Sequence, residues 1–111
     1  GKPIAAYQAM QWMLADSAMD IFAMESMIYR TAWLCDTGQP FGREAAMVKL
    51  HASEALCQVA DRAVQIHGGM GYSAEYKIER LYRDARVTRI YEGTNEIQRI
   101  VVARDVLKRG Y

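Results

Sequence analysis

The arrangement in this sequence best suited to chemistry is Tyr91-Glu92-Gly93-Thr94, a carboxylate followed by glycine and threonine between two strongly helical segments. Folding alone gives no reason to place an acid at that break. Ile90 and Tyr91 make the approach apolar. Gly93 removes side-chain bulk beside the carboxylate, so a ligand can come close. Thr94 can open the next helix, whose free N–H groups suit phosphate or pyrophosphate. An acid in an apolar cleft beside an anion-binding helix end fits a general base acting on a phosphate-bearing substrate or cofactor. The competing reading is a solvated loop acid that complements the next helix dipole, which is the commoner role for a lone Glu.

Other chemistries are disfavoured by spacing. A di-metal helical bundle needs Glu-x-x-His pairs, and neither His51 nor His67 has Glu at that offset. His67-Gly68-Gly69-Met70-Gly71 is glycine-rich, yet it follows a helical pattern, so the dinucleotide fingerprint fails on context. Cys35 and Cys57 lack the short spacing of a zinc site and sit in apolar helical context, which predicts buried, reduced thiols in a reducing compartment. A net charge of +1 argues against nucleic acid as a partner. No apolar run reaches transmembrane length.

The elements that must position Glu92 are helices. Hydrophobic residues make up 51% of the 111-residue chain and prolines number only 2, so long segments run uninterrupted. The first helical segment spans residues 4–36, with Met10, Leu14, Ser17, Ile21, Met24, Ile28 and Ala32 as its inner line and Asp16, Asp20 and Arg30 off it. Gly38 and Pro40 stop it. The second spans about 43–66, with Ala46, Leu50, Ala55, Val59, Ala63 and Ile66 inward. Ser73 is the expected N-cap of a third helix ending near Thr88, lined by Ile78, Leu81, Tyr82 and Ala85. The fourth runs from Asn95 to about Lys108, lined by Ile97, Ile100, Val101 and Leu107. Short connections make this an all-α, antiparallel helical bundle. The first segment is apolar on more than one side, which predicts packing against a further helix or subunit. The chain opens at Gly1, without methionine, directly into a helical pattern, and reads as a piece of something longer.

Gln65–Tyr72 ("QIHGGMGY") and Arg83–Arg99 ("RDARVTRIYEGTNEIQR") together resemble the C-terminal helical domain of the acyl-CoA dehydrogenase family, and the likeness extends across the whole chain, residues 1–111. The resemblance implies a four-helix bundle whose first helix would precede Gly1. It implies oxidation of an acyl-CoA thioester to the trans-2-enoyl-CoA, as in fatty-acid β-oxidation, with FAD accepting the β-hydrogen as hydride. By alignment with the motif, Glu92 is the base that removes the α-proton, and Gly93 approaches the thioester. Thr94, Asn95 and Glu96 match a segment that contacts FAD. Gln65, Ile66, His67, Gly68 and Gly69 match a loop that reaches the FAD of a neighbouring subunit, and Tyr7 and Gln8 match another cross-subunit contact. The implied partners are an electron-transferring flavoprotein and further copies of the chain, as a tetramer in the full enzyme; for the piece alone, its exposed apolar face suits a dimer. The implied location is the bacterial cytoplasm or mitochondrial matrix. The same fold holds acyl-CoA oxidases. A non-enzymatic helical association module, with an incidental Tyr-Glu-Gly-Thr break, is the reading from a different class.

Overall fold

A computed structural model describes residues 1–110. After a 3₁₀ turn at Ile4–Ala6 come α1 (Gln8–Asp36), α2 (Gly42–His67), a single helical turn α3 (Gly69–Tyr72), α4 (Lys77–Val87) and α5 (Asn95–Arg109). The architecture is all-α, as the periodicity predicts. Its organisation is centred on one element: α1, α4 and α5 each pack on α2 and make no direct contact with one another among the described residues.

Small side chains explain why α2 can serve three neighbours. Ala46, Ala55 and Ala60 are buried on it, and Ala85 of α4 is buried against it. A methyl group at the contact lets helix axes approach closely. The expected inner line of α2 is buried or half-buried throughout, but it omits Ser53 and Ala60, two of the helix's four buried residues.

α1 docks in a different phase from the expected one. Its half-buried or buried residues are Met10, Met13, Ser17, Asp20, Ala23, Met24, Met27, Thr31 and Leu34, one face at three- and four-residue steps. Leu14, Ile21 and Ile28, expected inside, are 48%, 42% and 46% exposed. Because α1 is apolar on several faces, hydrophobicity does not choose its rotation. A cross-helix ion pair does: Arg62 of α2 donates to Asp20 at 2.6 Å, with both side chains three-quarters covered. Asp20 therefore lies on the packed face. Partial burial limits the screening that weakens surface pairs. The same pairing, after a short connection, makes α1 and α2 antiparallel. That connection ends α1 with Gly38 at φ +69°, with Gly38 N–H donating to Cys35 O and Gln39 N–H to Leu34 O, which satisfies carbonyls that the helix end would leave orphaned.

Other expectations shift too. Ser73 does not cap α4: its hydroxyl accepts from Glu75 N–H within a turn, and Tyr76 precedes the helix without a side-chain cap. On α4, Ala85 and Ile78 face inward as expected while Leu81 and Tyr82 are exposed. On α5, Ile97, Ile100, Val101 and Leu107 are exposed, and the helix docks instead through Asn95, Gln98, Val102, Asp105 and Val106. Cys35 is exposed and Cys57 half-buried, its thiol 3.4 Å from Ala85 O, so neither is the buried thiol expected. Both are free. No helix is long and apolar enough to cross a membrane among the described residues.

The α2–α5 contact is polar at its centre. Asn95 is 1% exposed, the most deeply buried large side chain described. Its Oδ1 accepts from Lys49 Nζ at 2.8 Å, and its Nδ2 donates to Ser53 Oγ at 2.9 Å and Glu54 Oε1 at 3.4 Å. The single Ser53 hydroxyl proton goes to Asn95 Oδ1 at 3.0 Å or Leu50 O at 3.1 Å. Arg99, one turn along α5, closes the group onto Glu54 at 2.6 Å. The Arg99 guanidinium, through its hydrogen bond, holds the Glu54 carboxyl below the usual carboxylate range against the opposing effect of burial.

Replacing Asn95 with Ala should lower stability by about 1–3 kcal/mol, the cost of leaving buried partners unsatisfied, read as a lower urea midpoint. The depressed Glu54 carboxyl contributes stability in full above the free-Glu value of about 4.3 and loses it as pH falls further. Arg99→Met should therefore flatten the fall in melting temperature below about pH 4.3; an unchanged acid limb would show that the pair contributes nothing.

Candidate functional site

The break between α4 and α5 is built from both sides. Past the end of α4, Thr88 Oγ1 donates to Ala85 O at 2.7 Å, and the N–H groups of Ile90 and Tyr91 both donate to Val87 O. From the other side, Asn95 N–H reaches back to Arg89 O at 3.1 Å. Residues 89–95 thus form a loop with its ends tied together, and the buried Asn95 side chain fastens that loop to α2.

Between the tied ends lie Glu92 at φ +54° and Gly93 at φ +84°. Glu92 is the one non-glycine residue with positive φ among the described residues. Glycine adopts this region freely, whereas a side chain there costs on the order of 1–2 kcal/mol. Such strain persists only where the surroundings hold it, and it concentrates at functional sites. Among the described residues, the Glu92 N–H has no intrachain acceptor. One exposed turn therefore presents a carboxylate and an unbonded N–H.

The expected apolar cleft is not formed by this chain's own residues. Ile90 and Tyr91 are both more than half exposed, and Glu92 is exposed. Beside the break runs an open groove of about 590 Å³ between α2 and α4, lined by Glu54, Cys57, Tyr82, Arg86 and Arg89 among others, but not by Glu92.

Thr94 caps α5 as expected, its hydroxyl accepting from Ile97 N–H at 3.4 Å. The next two residues are placed in ways their motif did not announce. Asn95 turns inward, with both its amide protons and its carbonyl occupied by α2. The Glu96 carboxyl is held below the usual carboxylate range, first by its own backbone N–H and then by the Thr94 hydroxyl. An anion arriving at this helix end would meet that negative charge.

The remaining candidates lie elsewhere. Tyr7 and Gln8 begin α1, with Lys2 Nζ 4.9 Å from the centre of the Tyr7 ring and Gln11 Nε2 bonded to Ala5 O to hold the preceding turn. Gln65, Ile66 and His67 end α2, followed by Gly68 at φ +58° and Gly69. His67 Nδ1 lies 2.7 Å from Ala63 O; the carbonyl can only accept, so Nδ1 carries the proton and Nε2 is left free. All but Ile66 are exposed. The antiparallel α1–α2 pairing puts these two groups at the same end of the molecule. The break sits opposite Ser53 of α2, roughly 20 Å along the helix from His67 at 1.5 Å per residue. The candidates therefore form two separate sets, one at the α2 C-terminus and one at the break.

Two features escaped the sequence reading. Lys49 and Ser53, then Asn95 and Arg99, are polar pairs at i, i+4 on facing helices, a signal of a polar seam that was present but not read. Gln98, inside the motif itself, donates through Nε2 to Glu92 O at 3.2 Å and Gly93 O at 3.5 Å.

Residues 1–107 match the family model described as acyl-CoA dehydrogenase, C-terminal domain. The chain is 52% identical over 108 residues to the mitochondrial short-chain specific acyl-CoA dehydrogenase of Bos taurus, covering 97% of this chain and 26% of that protein. It is 46% identical to the caffeyl-CoA reductase-Etf complex subunit CarC of Acetobacterium woodii, covering 98% and 29%. The structure of butyryl-CoA dehydrogenase from Megasphaera elsdenii superposes with a TM-score of 0.94 at 44% identity, over 96% of this chain and 28% of that one. The chain thus spans just over a quarter of the length of these relatives. With residues 1–107 matched by the family model and the helices superposing on a solved relative, the chain belongs to the acyl-CoA dehydrogenase family and corresponds to the C-terminal domain.

Proposed function

We propose that this chain supplies the base-bearing helical domain of a flavin-dependent acyl-CoA dehydrogenase, which converts an acyl-CoA thioester to the trans-2-enoyl-CoA. The observation that carries this reading is the left-handed Glu92–Gly93 turn, which offers a carboxylate and an unbonded N–H together. The Glu92 carboxylate takes the α-proton, and the Glu92 N–H donates to the thioester oxygen as negative charge develops there. Gly93, lacking a Cβ, lets the thioester approach the turn. Bound FAD would accept the β-hydrogen with its electron pair.

The exposed set at the α2 C-terminus suits FAD. A Cβ added at Gly68 or Gly69 would meet nothing within 4 Å, so their backbone is open to a bulky ligand. Gln8, Gln65 and His67 Nε2 add polar groups at the same end. The start of α5 suits the phosphates less well, because Glu96 already places a negative charge there. Thr94 remains the better cofactor contact of that segment, and Asn95 acts through the α2 seam. In a homo-oligomer whose subunits share their sites, a tetramer in the full enzyme on this reading, two sets about 20 Å apart along α2 would serve two different flavins. The exposed Trp12, Phe22, Tyr29 and Trp33 of α1 give such an assembly an apolar surface to cover.

The name of the Acetobacterium woodii relative favours a second direction for the same site, reduction of an enoyl-CoA with electrons passed through an electron-transferring flavoprotein. Glu92 would then deliver the α-proton that it otherwise removes, as microscopic reversibility requires. Either direction fits the bacterial cytoplasm or mitochondrial matrix.

In the flavin-loaded enzyme, Glu92→Gln should lower kcat by about 10²–10⁴-fold with flavin content unchanged. Near-normal turnover in that variant would remove Glu92 from the role of base. The 111-residue chain alone, mixed with FAD and butyryl-CoA, should show no dehydrogenation; detectable product would mean that these helices already contain a complete site.

A further inference from the structure

The strained turn at Glu92–Gly93 has one side chain attached to it. Both carbonyls converge on the Gln98 amide, at 3.2 Å and 3.5 Å. The N–H groups of Glu92 and Gly93 have no intrachain acceptor among the described residues, so nothing else within the turn holds its two central peptides. Gln98 can reach them because residue 93 is glycine: a Cβ there would stand 2.7 Å from Gln98 Nε2. Gly93 is therefore required twice, for its φ of +84° and for the room it leaves.

Gln98 is itself well anchored. Its N–H donates to Thr94 O at 2.9 Å, the first helical bond of α5, and its side chain is half-buried. One turn earlier on that helix, Asn95 is fastened to α2. A continuous chain of contacts thus runs from α2 through Asn95 and the first turn of α5 to Gln98 and the carbonyls of the break. Without the amide the ends of the 89–95 loop stay tied, but no hydrogen bond within the turn opposes relaxation of Glu92 toward negative φ, which would redirect both its carboxylate and its N–H.

We infer that Gln98 is a positioning residue for the proposed base: its side-chain amide, clasping the Glu92 and Gly93 carbonyls, locks the left-handed turn that aims the Glu92 carboxylate and N–H at the thioester. This rests on the reading of Glu92 as the base. Gln98 touches no reacting atom and acts through Glu92. Misplacing a reacting group by about 1 Å can cost on the order of 10²-fold in rate.

The test uses the assembled, flavin-loaded enzyme with butyryl-CoA as probe. Gln98→Met keeps the length of the side chain and removes its donors. The rate of flavin reduction per bound flavin should fall about 10- to 100-fold, and exchange of the substrate α-proton with solvent deuterium should slow in parallel. Flavin content and KM should stay within about twofold, since neither depends on the aim of the base. A flavin-reduction rate within about twofold of the parent would overturn the inference. Gln98→Glu covers the case in which Gln98→Met does not fold. Its carboxylate would face two carbonyl oxygens, which favours the protonated, hydrogen-bond-donating form. Activity relative to the parent should therefore be low near about pH 8 and recover toward about pH 5.5, as the introduced carboxyl approaches its ordinary range. A relative activity that does not change with pH would contradict a clasping amide. Glu92→Gln separates the two readings. If it abolishes turnover while both Gln98 variants behave as the parent, the positioning role fails alone. If Glu92→Gln stays active, the base assignment fails first.

Discussion

The position of α5 and of the break before it depends on one buried amide. Asn95 sits in the contact between α2 and α5, its protons and oxygen satisfied by Ser53, Lys49 and Glu54. A buried amide tolerates few alternative partners, so it sets the height of α5 on α2 as well as its rotation. The apolar residues of α5 specify this less sharply, since Val102 and Val106 are only half-buried and Ile97, Ile100, Val101 and Leu107 stay exposed. Because the Asn95 N–H also closes the 89–95 loop onto Arg89 O, the contact that docks the helix is the one that places the break before it.

The rest of the architecture serves α2. Alanines on its surface let α1, α4 and α5 approach it, and polar contacts choose the register of two of them: Arg62 with Asp20 for α1, and the Asn95 group for α5. Large apolar side chains are left facing outward, on α1 above all. Helices packed around a thin alanine core leave much apolar surface uncovered, which fits a domain whose relatives are more than three times its length. The two candidate sets, one at the C-terminus of α2 and one beside its middle, are held apart by a single helix, so their spacing is a fixed property of the fold.

The elements were largely legible in the sequence, because glycine, proline and helix periodicity mark ends and lengths well. Gly38, Gly93, Thr94 and Gly110 stand where the helix ends require them. The faces were less legible. On α2 the expected residues do turn inward, since three neighbours cover most of the helix, although Ser53 and Ala60 lie outside the expected line. On α1 and α5 several stripes are apolar and only one of them meets α2, so hydrophobicity pointed to residues that remain exposed. Polar residues settle the packing there, and Asp20 and Asn95 read from sequence as a surface acid and a cofactor contact. The site was legible at Glu92, where the residue order itself is unusual. The clasp by Gln98 was not, because it depends on a left-handed turn that only the backbone reveals.

The central claim is that the break aims Glu92 and its N–H at a thioester. It is tested most directly by a crystal structure of the assembled enzyme with FAD and a bound, non-reacting acyl-CoA analogue. The Glu92 carboxylate should lie about 3–3.5 Å from the analogue's α-carbon, the separation of a reacting pair, with its N–H about 2.9 Å from the thioester oxygen and Glu92 still at positive φ. A carboxylate turned to solvent, or another acid standing at the α-carbon, would contradict the account.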